Sequence, residues 1–134
     1  GPASNDSLDL WEEVKIAPLL ARVQALDSTA ITAAETLAMA TREGAAAVGL
    51  HDTGSLIAGN AADMIRLDLA QSTFVPVTSP DELIAHLAWS GSNRLVTDVW
   101  VAGKQVVVAG EVQTVDTDRA RAQVQERARR LAGS

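Results

Sequence analysis

The chain holds only two imidazoles, His51 and His86, and no cysteine. A metal site built on imidazole needs two of them on one face, which H-x-H or H-E-x-x-H spacing provides. Neither histidine has such a neighbour: His51 lies in a Gly-Leu-His-Asp turn and His86 on a stretch with helix-start signals. On paper His86, Ser90 and Asp98 supply a base, a nucleophile and a carboxylate, yet no serine sits in a strained nucleophile elbow. Gly54-Ser-Leu-Ile-Ala-Gly59 has the glycines of a phosphate loop but lacks its lysine and precedes a strand pattern, so it reads as glycines bracketing a short strand and a turn. Glu12 and Glu13 are adjacent in a helical stretch and face different directions, which does not suit paired acid/base work. Trp11, Trp89 and Trp100 read most simply as core or interface anchors. Taken alone, these residues declare no active site.

The elements that would position them follow from periodicity. Ile16, Leu19, Leu20, Val23 and Leu26 fall at helical spacing and predict a helix over about 7–26, with Pro18 kinking it or marking a fresh start. Thr32-Ala-Ala-Glu35 is a capping box. It opens a second helix with Ala34, Leu37, Ala38, Thr41, Ala45 and Val48 on one close-packed face and Gly49 as its stop. Ile65, Leu67 and Leu69 alternate with Met64, Arg66 and Asp68, the pattern of a half-buried strand. Ser79-Pro80-Asp81-Glu82 starts a further helix, in which Glu82 completes a box and Leu83, Ile84 and Leu87 form the buried stripe. Arg94 to Val112 reads as strand, Gly103 turn, strand, and Asp116 or Thr117 caps a last helix carrying Ala120, Val124 and Leu131. Three or four strands cannot close a sheet, so unpaired edges are expected.

At 134 residues, with 47% hydrophobic and 21% charged residues, the chain suits one modest domain and neither disorder nor a membrane span. A net charge of −6 argues against a nucleic-acid partner. The exception to weigh is the arginine group Arg119, Arg121, Arg127, Arg129 and Arg130, which shares its helix with Asp118 and Glu126 and reads as a solvated face. The absence of cysteine and of a secretory pattern before the first helix fits a cytoplasmic protein.

Gly54-Ser-Leu-Ile-Ala-Gly-Asn-Ala-Ala-Asp63-Met-Ile-Arg-Leu-Asp68 resembles the G-S-L-x-x-G-x-x-A-D-L-I-V-L-D signature of metal-dependent amidohydrolases. Thr41-Arg-Glu-Gly-Ala-Ala-Ala-Val-Gly-Leu50, Phe74-Val-Pro-Val77, Val99-Trp-Val-Ala-Gly-Lys-Gln-Val-Val107 up to its last valine pair, and Glu111-Val-Gln-Thr-Val-Asp116 resemble further family segments in the same order. Gly1-Pro-Ala-Ser-Asn-Asp-Ser-Leu-Asp-Leu-Trp-Glu-Glu13 is similar to the sequence after the family's G-T-D motif, so the Gly-Pro is expected to be native and not a tag remnant. Within the family the likeness is to the branch of methylthioadenosine and S-adenosylhomocysteine deaminases and triazine chlorohydrolases. His51-Asp52-Thr53 and Ala102-Gly103 depart from the family's usual turns, at the surface only.

The resemblance implies an α/β fold: the C-terminal piece of a (β/α)₈ barrel plus the C-terminal part of its small β-sandwich. Residues 1–53 would supply the last barrel loop and helices, 54–116 the sandwich contribution with one intervening helix, and 117–134 a C-terminal helix. A divalent metal, zinc, would be bound upstream of Gly1, so no catalytic residue and no metal ligand carry over onto this chain. The activity implied is hydrolytic deamination of an adenosine-like purine nucleoside, with a guanine-type deaminase or a triazine chlorohydrolase as alternatives. The chain alone is expected to be inactive. Ser4 and Asn5 either shape the floor of the substrate pocket or cap the helix that begins near Ser7. Implied partners are the missing N-terminal barrel segment, a small-molecule substrate and a second copy in a homodimer, with no nucleic acid and no membrane. A competing reading of another class is a non-catalytic module that binds protein through its strand edges.

Overall fold

In the computed structural model, which describes residues 7–133, the first helix, α1, spans Leu10–Ala25. Its cap is Asp9, whose carboxylate accepts from the Trp11 N–H at 2.9 Å, with Glu12 and Glu13 behind it at the positive end of the helix dipole. The helix therefore starts at Leu10 and not near Ser7, and its capping position is filled without Ser4 or Asn5, which lie outside the described residues. Pro18 neither ends α1 nor restarts it; its ring is fully buried within the helix.

Thr32 and Glu35 form the expected capping box: the Thr32 hydroxyl accepts from the Glu35 N–H and the Glu35 carboxylate accepts from the Thr32 N–H. The helix they open is interrupted. Helix α2 covers Ala33–Ala38, a π-helical turn Met39–Glu43, and α3 Gly44–Ala47, with Gly49 closing the run at φ 82°. A π turn inserts an extra residue, so positions on either side of it no longer share one face. Thr36 and Ala38 are buried, while Ala34, Thr41 and Val48 of the expected face are exposed.

Strands β1 (Met64–Leu67), β2 (Val96–Val101), β3 (Lys104–Val108) and β4 (Glu111–Val112) form one antiparallel sheet in sequence order. Arg66 faces Asp98 across β1 and β2. Both hairpin turns are Ala-Gly pairs with positive φ at each residue, Ala102-Gly103 at 49° and 76° and Ala109-Gly110 at 49° and 83°. That handedness matches the right-handed strand twist. The second turn and β4 extend the expected single hairpin. The strand expected through Leu69 ends at Leu67, and Ile65 is exposed, because no described element covers that face.

Helix α4, Pro80–Ser90, packs against α1 and α2, burying Ala88 completely and half-burying Leu83, Ile84 and Leu87. Ser79 caps it by accepting from the Glu82 N–H. Glu82 does not return the bond to Ser79; its carboxylate accepts from the N–H and hydroxyl of Thr78, one residue earlier. Helix α5, Thr117–Ala132, is capped by Asp116, which accepts from the Arg119 N–H and so decides between the two cap candidates. The core is small: Val14, Pro18, Ala38, Phe74, Ala88 and Leu95. Among the described residues no helix is long and apolar enough to cross a membrane.

Candidate functional site

The segment from Asp52 to Asp63 is folded onto itself and onto its neighbours. The Asn60 side-chain amide donates to the carbonyl and hydroxyl oxygens of Ser55, and the Ala61 N–H donates to the Asp52 carbonyl. Gly54, at φ 81°, lies against the π turn so closely that a Cβ there would stand 2.7 Å from the Arg42 Cα. The two glycines thus serve a packed turn and not a phosphate cradle.

Asp63 ends this segment and locks it to the sheet. One carboxylate oxygen accepts from the Ala102 N–H at 2.6 Å and the other from the Thr53 hydroxyl at 2.7 Å, while the Gly103 N–H donates to the Ala62 carbonyl at 3.0 Å. The Ala102 amide first, then the Thr53 hydroxyl, holds the Asp63 carboxyl below the ordinary carboxylate range. The Ala-Asp pair of the G-S-L signature is therefore a brace between the loop and the β2–β3 turn.

Asp98 lies in the middle of β2 with 2% of its surface exposed. It pairs with Arg66 and accepts from the Gln105 side-chain amide at 2.8 Å. The Thr97 hydroxyl foremost, with help from the Ala109 amide, Arg66 and Gln105, lowers its pKa against the opposing effect of burial. His86 is occupied elsewhere: its Nε2 lies 3.2 Å from the Pro76 carbonyl and its ring leans on Phe74. The paper triad of Ser90, His86 and Asp98 is not assembled, since the base and the carboxylate hold different partners. A charged pair facing across two apolar strands was the sequence signal for Asp98, and it goes unread until the register is known.

The tryptophans act as anchors at α1 and α4. Trp11 donates its indole N–H to the Leu87 carbonyl at 2.9 Å, and a Cβ on Gly91 would overlap both of those groups. The Arg22 guanidinium lies over the Trp89 ring, 4.6 Å from its centroid, a cation–π contact.

Two concave surfaces remain. An apolar groove of about 260 Å³ runs between α1, α2, β1 and α4, lined by residues that include Leu10, Trp11, Leu37, Ile65 and Leu67. A larger polar cleft, about 640 Å³, opens at the start of α1, where Asp9, Glu12, Lys15, Asn93 and Arg94 mix both signs of charge. It is the described region nearest in sequence to Ser4 and Asn5, of which no geometry is described. Among the described residues no three His, Asp or Glu side chains gather to hold a metal ion, so these residues do not fit a zinc site and no chemical step is routed through one here.

The model of the amidohydrolase family matches residues 1–106. A 5-methylthioadenosine/S-adenosylhomocysteine deaminase of Bacillus cereus is 40% identical over 118 residues, 87% of this chain and 26% of that protein. Among solved structures, an adenosine deaminase from Xanthomonas campestris with bound zinc superposes with a TM-score of 0.92 at 36% identity, covering 100% of this chain and 30% of that one. An atrazine chlorohydrolase from Arthrobacter aurescens in complex with zinc gives a TM-score of 0.77 at 28% identity, covering 94% of this chain and 28% of the other. The chain thus spans about a quarter of the length of the curated relative it matches.

Proposed function

Because the chain belongs to the amidohydrolase family, we propose that it is the C-terminal portion of a metal-dependent hydrolase that deaminates an adenosine-like purine nucleoside of the methylthioadenosine or S-adenosylhomocysteine type. The observation that carries this reading is the fit of the whole chain to the adenosine deaminase, TM-score 0.92, against 0.77 for the atrazine chlorohydrolase. The same order holds for sequence identity, 36% against 28%. Residues 1–53 are assigned to the end of a (β/α)₈ barrel, 54–116 to the small β-sandwich and 117–134 to a C-terminal helix.

In this reading a companion segment holds the divalent metal, zinc, which when bound lowers the pKa of a water and makes it a nucleophile at neutral pH. What the present chain contributes is support. Asp63 braces the loop before β1 against the β2–β3 turn, and the Trp11–Leu87 bond fixes the start of α1 against α4. Together they hold the polar cleft at Asp9, Lys15 and Arg94, next to which Ser4 and Asn5 are assigned to the floor of the substrate pocket. The reading also includes a homodimer and a cytoplasmic location.

Ammonia release by the complete, zinc-loaded protein tests it. Turnover of an adenosine-like nucleoside is expected; turnover of a chlorotriazine in its place moves the protein to the second reading, a triazine hydrolase, which the 0.77 superposition supports.

A further inference from the structure

We propose that α5 is a basic docking helix that seats on the acidic surface of a second copy of this chain. The inference rests on the homodimer of the preceding reading and not on its chemistry. Every residue of α5 after Thr117 is exposed, although the helix is capped and 16 residues long. Isolated helices of that length are marginal in water, so a helix with nothing packed on it needs cover from outside the chain. The superposition on the adenosine deaminase takes in α5 with the rest of the chain, so the helix keeps its place in a solved structure.

Charge selects the occupant. Arg119, Arg121, Arg127, Arg129 and Arg130 against Asp118 and Glu126 give α5 a net charge of +3, which leaves −9 on the remainder of a chain that totals −6. Exposed carboxylates on that remainder include Glu12, Asp52, Asp81 and Glu111. Ala120, Val124 and Ala128 recur every four residues, and Arg121 and Arg127 each lie three residues from Val124, so a narrow apolar strip runs between basic flanks. Such a surface fits an acidic protein face, where opposite potentials steer and orient the encounter. A nucleic acid would meet the same +3 together with repulsion from the −9 remainder.

Sedimentation velocity of the 134-residue chain at about 50 and about 500 mM salt tests this, because screening weakens ionic association and leaves apolar association intact. The expected result is a dimer whose dissociation constant rises more than about tenfold at the higher salt. The variant Arg127→Glu/Arg129→Glu/Arg130→Glu should be monomeric at both, with circular dichroism confirming that it still folds. Conservative Arg→Lys changes at the same positions should keep the dimer. A monomeric wild-type chain, self-association that salt does not weaken, equal association of the charge-reversed variant, or salt-sensitive binding of a DNA duplex without self-association would each overturn the proposal. Turnover does not enter the readout, so a dimer without deaminase activity would count against the proposed function and not against α5.

Discussion

Single residues carry the bracing of this fold, and Asp63 carries the most. Its two oxygens hold a hydroxyl ten residues upstream and a turn amide 39 residues downstream. Because its folded-state pKa is depressed, its contribution is present in full above the ordinary carboxylate value, about pH 4. It is lost as pH falls through the lower folded-state value. Thermal melts between about pH 2 and pH 7 should therefore show Asp63→Asn less stable than wild type at neutral pH, with the gap closing below about pH 4. An unchanged gap across that range would remove the brace from the account. Gly91 makes a steric demand of another kind. Its replacement by alanine drives a methyl into the Trp11–Leu87 hydrogen bond, and denaturant unfolding should show a loss of about 2–3 kcal/mol or more.

At the scale of elements, the two Ala-Gly turns adopt the handedness a two-residue hairpin needs, but each places a non-glycine residue at φ 49°. Asparagine tolerates that region better than alanine. Ala109→Asn should accordingly stabilise the chain by about 0.5–1 kcal/mol in the same unfolding measurement. How far such elements could be read from the sequence depended on how local their causes are. The Thr32–Glu35 box, Ser79 with Pro80, and the Gly103 turn are each set within four residues, and each was legible. The π turn at Met39–Glu43 broke the face drawn through Ala34 and Val48, and no spacing rule announced it. The site shows the same division. The G-S-L signature was visible, but the role of its aspartate depended on an amide 39 residues away. Asp98 looked like a member of a triad until Arg66 faced it across the sheet.

The whole molecule is an unevenly covered object. Leu19, Leu20 and Val23 of α1, at helical spacing, are 53%, 59% and 71% exposed, and Val48 is 73% exposed. A contiguous apolar stripe of that kind marks a surface made to be covered. The stripe, the apolar groove beside it and the 30% coverage of the adenosine deaminase chain all support the same assignment, in which a companion segment packs on this face and holds the metal. The measurement that tests this most directly is ammonia release from an adenosine-like nucleoside in the presence of zinc, by the 134-residue chain alone and by the chain joined to its companion. The account predicts no turnover from the chain alone and turnover from the joined protein. Turnover by the chain alone, or a joined protein that binds zinc and folds yet leaves the nucleoside untouched, would contradict it.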